Sequence, residues 1–392
     1  MISPISAQGL RSDPGWSQSL PKAALLSIRL ASAFLVIFLL LWPGSANGVM
    51  FYSTGDPSYN TTAPEGSLAN SGWQFQGEWG RFLGTVIAPK YFVTASHIGG
   101  VVGDKFKLGG VEYTTTATFV DVDSDLRIWR IAESFPFFAS LCTDGDEVGR
   151  ALVVFGRGTQ RGGRVEVEGT TGNQTKGWFW GASDGAQRWG ENRVESVVDG
   201  DAFPATPDGD TNRVGELLMA GFDAEGGPNE AHLSSGDSGG AVFLQDGPTW
   251  RLAGINYSVD GPYNTTDTGK GFQAVLFDEG SLYKGGEGEW ELTPELPSPQ
   301  PGAFYATRIF SHLEWINSVL ASPIAEEDPA LQVTADISAP FIDCNTATLD
   351  PEQRTITVPR PAASQFYRLR SSKQRRLTSI RVDGANLILT YE

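Results

Sequence analysis

Three short motifs in this chain carry the side chains of one reaction. Ser238 lies in the run Gly-Asp-Ser-Gly-Gly, His97 ends the run Thr-Ala-Ser-His, and Asp125 begins the run Asp-Leu-Arg-Ile-Trp. A seryl hydroxyl is a weak nucleophile, so it needs an imidazole to take its proton and a buried carboxylate to orient that imidazole. The sequence therefore predicts nucleophilic catalysis, with Ser238 as nucleophile, His97 as general base and Asp125 as the residue that holds His97.

The glycines around Ser238 predict where negative charge would be stabilised. Gly236 lets the backbone approach a substrate closely, so the amides of Gly236 and Ser238 can both point at a carbonyl oxygen that becomes an oxyanion. In isolation, each motif equally fits a polar turn or a strand end with a satisfied histidine. The catalytic interpretation rests on the motifs occurring together, in this order and next to strand-like segments.

These residues and their surroundings resemble the trypsin/chymotrypsin family of serine endopeptidases, in its secreted bacterial form. The resemblance covers roughly residues 73–321 and includes apolar segments beside the motifs: Phe82–Ile87, Tyr91–Val93, Ala241–Phe243, Trp250–Ile255 and Arg308-Ile309 followed by Trp315. It implies hydrolysis of polypeptide substrates through an acyl-enzyme. It also implies that His97, Asp125 and Ser238 form the catalytic triad, with the oxyanion hole at Gly236 and Ser238.

Composition and patterning predict an all-β fold. Apolar and β-branched runs are short and are separated by turn residues, as in a sandwich or barrel. We expect two antiparallel six-stranded β-barrels at about 73–146 and 148–305, within a protease domain at 47–323. A helix at about 311–321 is expected from the capping-box spacing of Ser311 and Glu314. Residues 324–392 are expected to form a linker and a small β-rich module, serving substrate binding, stability or secretion.

The resemblance also suggests where substrate side chains bind. The residue six positions before the nucleophile lies at the base of the specificity pocket in the family, and here that residue is His232, which could also merely line the wall. An imidazole there could accept a hydrogen bond or, when protonated, favour an acidic side chain. Asn256, Tyr257 and Ser258 are expected on the strand that pairs with the substrate as an added β-strand.

Activation is a point at which the sequence departs from the family. Family zymogens release a new amino terminus, usually Ile-Val-Gly-Gly, which pairs with the aspartate before the nucleophile. That aspartate is Asp237, and no such tetrapeptide precedes it in this chain. Either another donor satisfies Asp237 or activation uses a different cut. We expect folding to an active form without tryptic processing.

Residues 1–46 are expected to be a signal peptide. Ala31–Trp42 is an apolar core after Lys22 and Arg29, and small residues at Gly44 and Ala46 suit cleavage after Ala46. We therefore expect a secreted or periplasmic protein with no stable membrane span after cleavage. The alternative is an uncleaved anchor, for which the apolar stretch is short.

The net charge and the residue content bear on binding partners, metal ions and disulfide bonds. We expect no nucleic-acid partner, because the net charge of −17 opposes sequence-independent binding to phosphates. We expect no cofactor and no metal, although Asp199–Asp201 and Asp208–Asn212 are acidic turns that could hold calcium. Cys142 and Cys344 could form one disulfide or stay unpaired, and we slightly favour the bridge. The sequence makes no prediction of oligomeric state.

Two other functions remain open at this stage. A binding or adhesion protein could use the protease fold as a catalytically silent scaffold, although such a scaffold has no physical need of all three triad groups. An esterase-like hydrolase would share the nucleophile chemistry and differ in substrate. We favour the serine endopeptidase.

Overall fold

The computed structural model describes residues 48–169, 172–202, 213–322, 329–350, 353–371 and 375–392. The described residues belong to one compact unit, Ala46–Glu392. The expected signal peptide and the acidic turn at Asp208–Asn212 lie outside the described residues. Across the described ranges, no helix has both the length and the apolar composition needed to cross a membrane.

The first half of the protein contains a closed, six-stranded antiparallel barrel. Its strands follow in the hydrogen-bonded order β2-β3-β4-β7-β6-β5. Phe92, Phe106 and Trp129 are fully buried in its core. The strands of this half are β1 (Met50–Phe51), β2 (Gln76–Trp79), β3 (Phe82–Ala88), β4 (Tyr91–Ala95), β5 (Lys105–Leu108), β6 (Val111–Val120), β7 (Leu126–Ile131) and β8 (Ser140–Leu141).

Strand pairing in this barrel explains why two distant motifs meet. β4 and β7 are antiparallel, and Ala95 at the end of β4 is paired with Leu126 at the start of β7. His97 follows β4 by two residues and Asp125 directly precedes β7. The register therefore places both residues at the same edge of the barrel.

The second half is built around an eight-stranded sheet with the main order β12-β9-β16-β17-β22-β14-β13 and β8 beside β17. The strands of this half are β9 (Ala151–Gly156), β10 (Arg161–Gly169), β11 (Gly172–Trp180), β12 (Arg188–Arg193), β13 (Ser196–Asp199), β14 (Glu216–Gly221), β15 (Ala231–His232), β16 (Ala241–Asp246), β17 (Thr249–Val259), β18 (Tyr263–Asn264), β19 (Ala274–Leu276), β20 (Tyr283–Lys284), β21 (Glu291–Leu292) and β22 (Ala303–Arg308). Three-stranded sheets β10-β11-β19 and β18-β20-β21 accompany it, and β1 pairs with β15.

The predominantly β fold agrees with the sequence prediction, and one of the two expected barrels is present as a closed barrel. In the second half, the described strand pairs do not form a closed ring. The sheet curls so that β12 at one edge approaches β14, the strand next to the other edge: Asn192 Nδ2 on β12 donates to the carbonyl of Gly221 on β14 at 2.7 Å.

The helix that follows β22 differs in its start from the prediction. A 3₁₀ turn at Phe310–His312 precedes helix α1 at Leu313–Ala321. The capping box is absent, because the N-cap is His312 and no side chain caps the helix. The Ser311 hydroxyl instead donates to the carboxylate of Glu216. Further 3₁₀ turns lie at Gly66–Leu68, Trp73–Phe75 and Gly200–Ala202.

The C-terminal residues form two small sheets with one shared apolar core. The sheets have the orders β24-β23-β27 and β25-β26-β29-β28. Leu331, Ile356, Val358, Leu389 and Tyr391 are buried between them. The strands are β23 (Ala330–Thr334), β24 (Ile342–Asp343), β25 (Thr348–Asp350), β26 (Thr355–Pro359), β27 (Phe366–Arg370), β28 (Leu377–Asp383) and β29 (Asn386–Tyr391).

The expectation of a disulfide between Cys142 and Cys344 was wrong. Both cysteines are free. Each packs in a different apolar core, Cys142 in that of the second half and Cys344 against that of the C-terminal sheets. Burial raises the pKa of the Cys142 thiol, which keeps this group protonated and unreactive.

Glu230, directly before β15, makes stability depend on pH. It is 2% exposed, and burial raises its pKa to about 8. Because this pKa is higher in the folded than in the unfolded state, the contribution to stability is complete below the unfolded pKa and is lost as pH rises through about 8. Its Oε1 accepts hydrogen bonds from Asn192 Nδ2 and from the Asp223 amide, both at 3.0 Å.

Replacement of Glu230 with glutamine keeps the acceptor Oε1 and removes the ionisation. We expect Glu230→Gln to raise the free energy of unfolding by at least ~2 kcal/mol at about pH 9 and to change it little at about pH 5. Urea denaturation of both proteins at the two pH values measures this. An equal difference at both pH values would show that Glu230 is not the titrating group.

Candidate active site

The structure brings His97, Asp125 and Ser238 into one hydrogen-bonded chain. His97 Nδ1 lies 2.6 Å from Asp125 Oδ2, and His97 Nε2 lies 2.8 Å from Ser238 Oγ. A carboxylate cannot donate, so the bond to Asp125 places the imidazole proton on Nδ1. Nε2 is then the acceptor for the Ser238 hydroxyl, which is the geometry that a general base requires.

Asp125 holds His97 at two points. Its Oδ1 accepts the His97 backbone N–H at 2.9 Å, while its Oδ2 accepts Nδ1. The Asp125 side chain is 11% exposed and that of His97 is 42% exposed. The carboxylate is therefore shielded from water while the imidazole faces the solvent side, where a substrate can reach it.

A second histidine braces the loop that carries Asp125. His312, in the turn before α1, lies with Nδ1 2.9 Å from Asp121 Oδ2. Asp121 also accepts the Ser124 hydroxyl at 2.8 Å, and Ser124 Oγ accepts the Leu126 amide at 3.1 Å. Burial raises the pKa of Asp121, but hydrogen bonds from His312 and Ser124 outweigh burial and leave it below its usual value. Sequence reasoning missed Asp121 and His312, because no motif links them.

The loop before Ser238 carries the two amides that the sequence predicts as the oxyanion hole. Gly236 has φ +100°, a conformation that favours glycine. A Cβ at this position would lie 3.1 Å from the Cα of Gly158. Among the described residues, no acceptor is paired with the N–H of Gly236 or of Ser238. Two donors are thus available beside the Ser238 hydroxyl.

Asp237 is the internal brace of this loop. It is 1% exposed. Its carboxylate accepts four hydrogen bonds, from Val49 N at 3.1 Å, Gly158 N at 2.6 Å, Ser234 N at 2.7 Å and Ser234 Oγ at 3.0 Å. Burial raises its pKa to about 6, partly offset by these bonds. In this structure, neutral donors satisfy the aspartate that the family resemblance pairs with a new amino terminus.

Val49 was missed at the sequence level, although it contacts Asp237. It precedes β1, which pairs with β15 so that Met50 lies opposite His232. Its φ of +46° is a strained backbone conformation for a β-branched residue. Gly48 lies so close to the backbone of Gly156 and Arg157 that a Cβ would approach to 2.5 Å. The segment just after the expected cleavage site is therefore packed beside the Ser238 loop.

A cavity of about 140 Å³ opens beside Ser238. Its lining includes Trp180, Leu233, Ser258 and Val259, together with Ser238 itself. The cavity lies between the loop before Ser238 and the end of β17. A substrate side chain could enter it from a residue whose carbonyl carbon lies next to Ser238 Oγ.

The expectation that His232 forms the base or wall of this pocket was wrong. His232 is absent from the lining and is 1% exposed. Its ring packs between Phe222 and Phe304, with ring centroids 5.6 and 5.7 Å away. Its Nδ1 lies 2.7 Å from the carbonyl of Leu233, and burial lowers its pKa. The reason is nonlocal, since β1 pairs with β15 and helps to enclose His232.

The three residues expected on the substrate-pairing strand take different positions. Asn256 is 1% exposed, and its Nδ2 donates to the carbonyls of Phe155 and Asp237 at 2.8 and 3.0 Å. It therefore supports the Ser238 loop from within. The Tyr257 ring contacts the His97 ring at 5.9 Å, and Tyr257 and Ser258 both line the cavity. Their predicted role in substrate pairing stays a prediction.

Within the described residues, no group of three or more His, Cys, Asp or Glu side chains is arranged to hold a metal ion.

Comparison with known proteins gives distant structural similarity but no sequence match. No family model matches the sequence, and no curated protein matches it. The chain is similar to the solved structure of neuropsin, a serine protease expressed in the limbic system of mouse brain, at 16% sequence identity and a TM-score of 0.38. The match covers 64% of this chain and 96% of that one. The geometry described above stands without this match.

Proposed function

We propose that this protein is a secreted serine endopeptidase that works through an acyl-enzyme. The observation that carries the proposal is the chain of contacts from Asp125 through His97 to Ser238, at 2.6 and 2.8 Å, beside two available backbone N–H groups. Nucleophile, base, orienting group and oxyanion donors thus occur at one site. A catalytically silent binding protein has no physical need of this alignment.

In the proposed reaction, Ser238 Oγ attacks the carbonyl carbon while its proton passes to His97 Nε2. The carbonyl oxygen becomes an oxyanion and accepts hydrogen bonds from the amides of Gly236 and Ser238. His97 then gives the proton to the leaving amine, the carbon–nitrogen bond breaks, and an ester to Ser238 remains. Water attacks this ester with His97 again as base, which releases the acid and restores the hydroxyl.

The remaining sequence expectations fit this proposal. The substrate would lie along the end of β17 near Tyr257 and Ser258, as an added strand. We assign the two-barrel organisation to residues 47–323, with the curled sheet of the second half as the second barrel and the small β module at 324–392. Export through residues 1–46 to a secreted or periplasmic location belongs to the same proposal.

An active-site probe tests the proposed chemistry directly. A fluorophosphonate should label the folded protein once, and peptide mass mapping should place the adduct on Ser238, because only an activated hydroxyl reacts rapidly. Heat-denatured protein is the control and should remain unlabelled. Label at other serines alone would contradict the proposal. Labelling together with hydrolysis of simple esters but of no peptide would favour the esterase alternative.

A further inference from the structure

The cavity beside Ser238 contains no charge that is available to a ligand. Among the described residues that line it, Asp237 is the one carboxylic acid, and none is Lys, Arg or His. The Asp237 carboxylate is 1% exposed and already accepts the amides of Val49, Gly158 and Ser234. It therefore faces its own loop and cannot serve as the partner of a substrate cation.

The charged and titratable groups behind the cavity are also engaged. The buried His232 is kept neutral by the burial that lowers its pKa. Asp260, the residue after β17, lies outside the lining and forms an ion pair with Lys284 at 3.0 Å. Neither residue offers a free countercharge to a side chain in the cavity.

The remaining lining is apolar or neutral. Trp180, Leu233 and Val259 supply apolar surface, and the polar side-chain groups include seryl hydroxyls, the amide of Asn256 and the phenol of Tyr257. The few neutral dipoles in this lining offset only part of the desolvation cost of an ionised side chain, whereas burial of apolar surface is favourable. The lining therefore selects against Lys, Arg, Asp and Glu.

The volume of the cavity indicates how large a side chain it can enclose. It measures about 140 Å³. A cavity of about 150 Å³ holds one benzene molecule. A leucine, methionine or phenylalanine side chain therefore fits, whereas the two fused rings of tryptophan do not.

We propose that this cavity binds the side chain of the residue that contributes the carbonyl of the cleaved peptide bond. It selects an uncharged side chain no larger than a single six-membered ring, and Trp180 and Val259 are the walls that limit its size. The inference rests on the proposed function, because it takes Ser238 as the nucleophile. It replaces the expectation of an acid-selective pocket based on His232.

The test uses one peptide series that differs only at this residue: Leu, Phe, Trp, Lys and Glu. We expect kcat/KM for Leu and Phe to exceed that for Lys, Glu and Trp by at least about 100-fold. The same peptides are titrated onto the Ser238→Ala protein by calorimetry, which reads side-chain preference without chemistry. Tightest binding or fastest cleavage of the Lys, Glu or Trp peptide would overturn the inference, and so would equal binding of all five.

The two readouts separate this inference from the proposed function. Selective binding of Leu and Phe peptides without any hydrolysis would support the cavity and contradict the endopeptidase. Hydrolysis with a preference for a charged residue would support the endopeptidase and contradict the cavity.

Two substitutions test the walls. Trp180→Ala should raise cleavage of the Trp peptide relative to the Phe peptide about tenfold, because it enlarges the cavity. Ser258→Asp should raise the Lys peptide relative to the Leu peptide about tenfold, because it supplies the missing countercharge. Trp290→Ala is the matched control, since Trp290 lies outside the lining and bonds to the Gly269 carbonyl at 3.0 Å. If both ratios stay unchanged, or change equally in the control, the wall assignment fails.

Discussion

Replacement of Ser238 by alanine is expected to lower kcat/KM by about 10⁴-fold to 10⁶-fold for a peptide in which leucine contributes the carbonyl of the cleaved bond. The substitution removes the attacking oxygen and leaves both oxyanion amides and the His97–Asp125 pair in place. Ser238 is half-buried and its hydroxyl bonds to His97, so its loss removes no core packing. The rate is measured with a chromogenic peptide, and the fold by thermal unfolding and circular dichroism.

The matched comparisons for this experiment are His97→Ala and the double variant. Triad members act as a unit, so the double variant should be about as inactive as either single one. Ser338→Ala, at an exposed turn of the C-terminal module where the hydroxyl bonds to Asp336, should retain full activity. Normal hydrolysis by Ser238→Ala would remove Ser238 from the reaction. Multiplying losses in the double variant would show that the two residues act independently.

The meeting of His97, Asp125 and Ser238 was predictable because each lies in a local motif next to a strand. The pairing of Ala95 with Leu126 then brings the first two together. The β-rich fold was predictable for a related reason, since the turn-punctuated apolar runs are local signals. Both predictions depend on short segments of sequence, in which the motif or the apolar pattern can be recognised without knowing the contacts between distant residues.

The sequence could not reveal contacts made between segments distant along the chain. His232 was assigned to the pocket from its spacing to Ser238. However, β1, which lies more than 180 residues earlier in the sequence, pairs with β15 and helps to bury His232. The same holds for the donation from the Val49 amide to Asp237, across 188 residues. A backbone donor carries no side-chain signature, so residue types alone cannot identify it.

Asn256 shows the same limit within a correctly located strand. It was expected as a substrate-binding residue on the strand that pairs with the substrate, yet its side chain is buried and donates to the carbonyls of Phe155 and Asp237. Strand alternation predicts two faces but not which face a bulge exposes, and the pairing of β17 with β22 shifts register between Asn256 and Ser258. The irregularity lies between Asn256, which is buried and supports the loop, and Ser258, which is half-buried; both residues line the cavity.

Asp237 provides the second large effect, because its carboxylate holds the oxyanion loop to Val49, Gly158 and Ser234. In Asp237→Asn, one oxygen becomes an NH₂ group that must face a backbone N–H donor. We expect kcat/KM to fall by about 10²-fold to 10³-fold, the scale for losing one oxyanion donor. Peptide hydrolysis measures this. Ser234→Ala, which removes one hydroxyl and keeps the Ser234 amide, is the matched control and should lose less.

The pH dependence of stability distinguishes this role from general damage to the fold. The folded pKa of Asp237, about 6, exceeds the ordinary value of 3.8 for an aspartate. Its contribution to stability is therefore complete below the unfolded pKa and is lost as pH rises through about 6. Acidification from about pH 7 to about pH 5 should thus stabilise the wild type relative to Asp237→Asn, while protonation removes acceptors from the loop and lowers activity. If the free energy of unfolding changed equally with pH in both proteins over this range, the assignment of the buried charge to Asp237 would be contradicted.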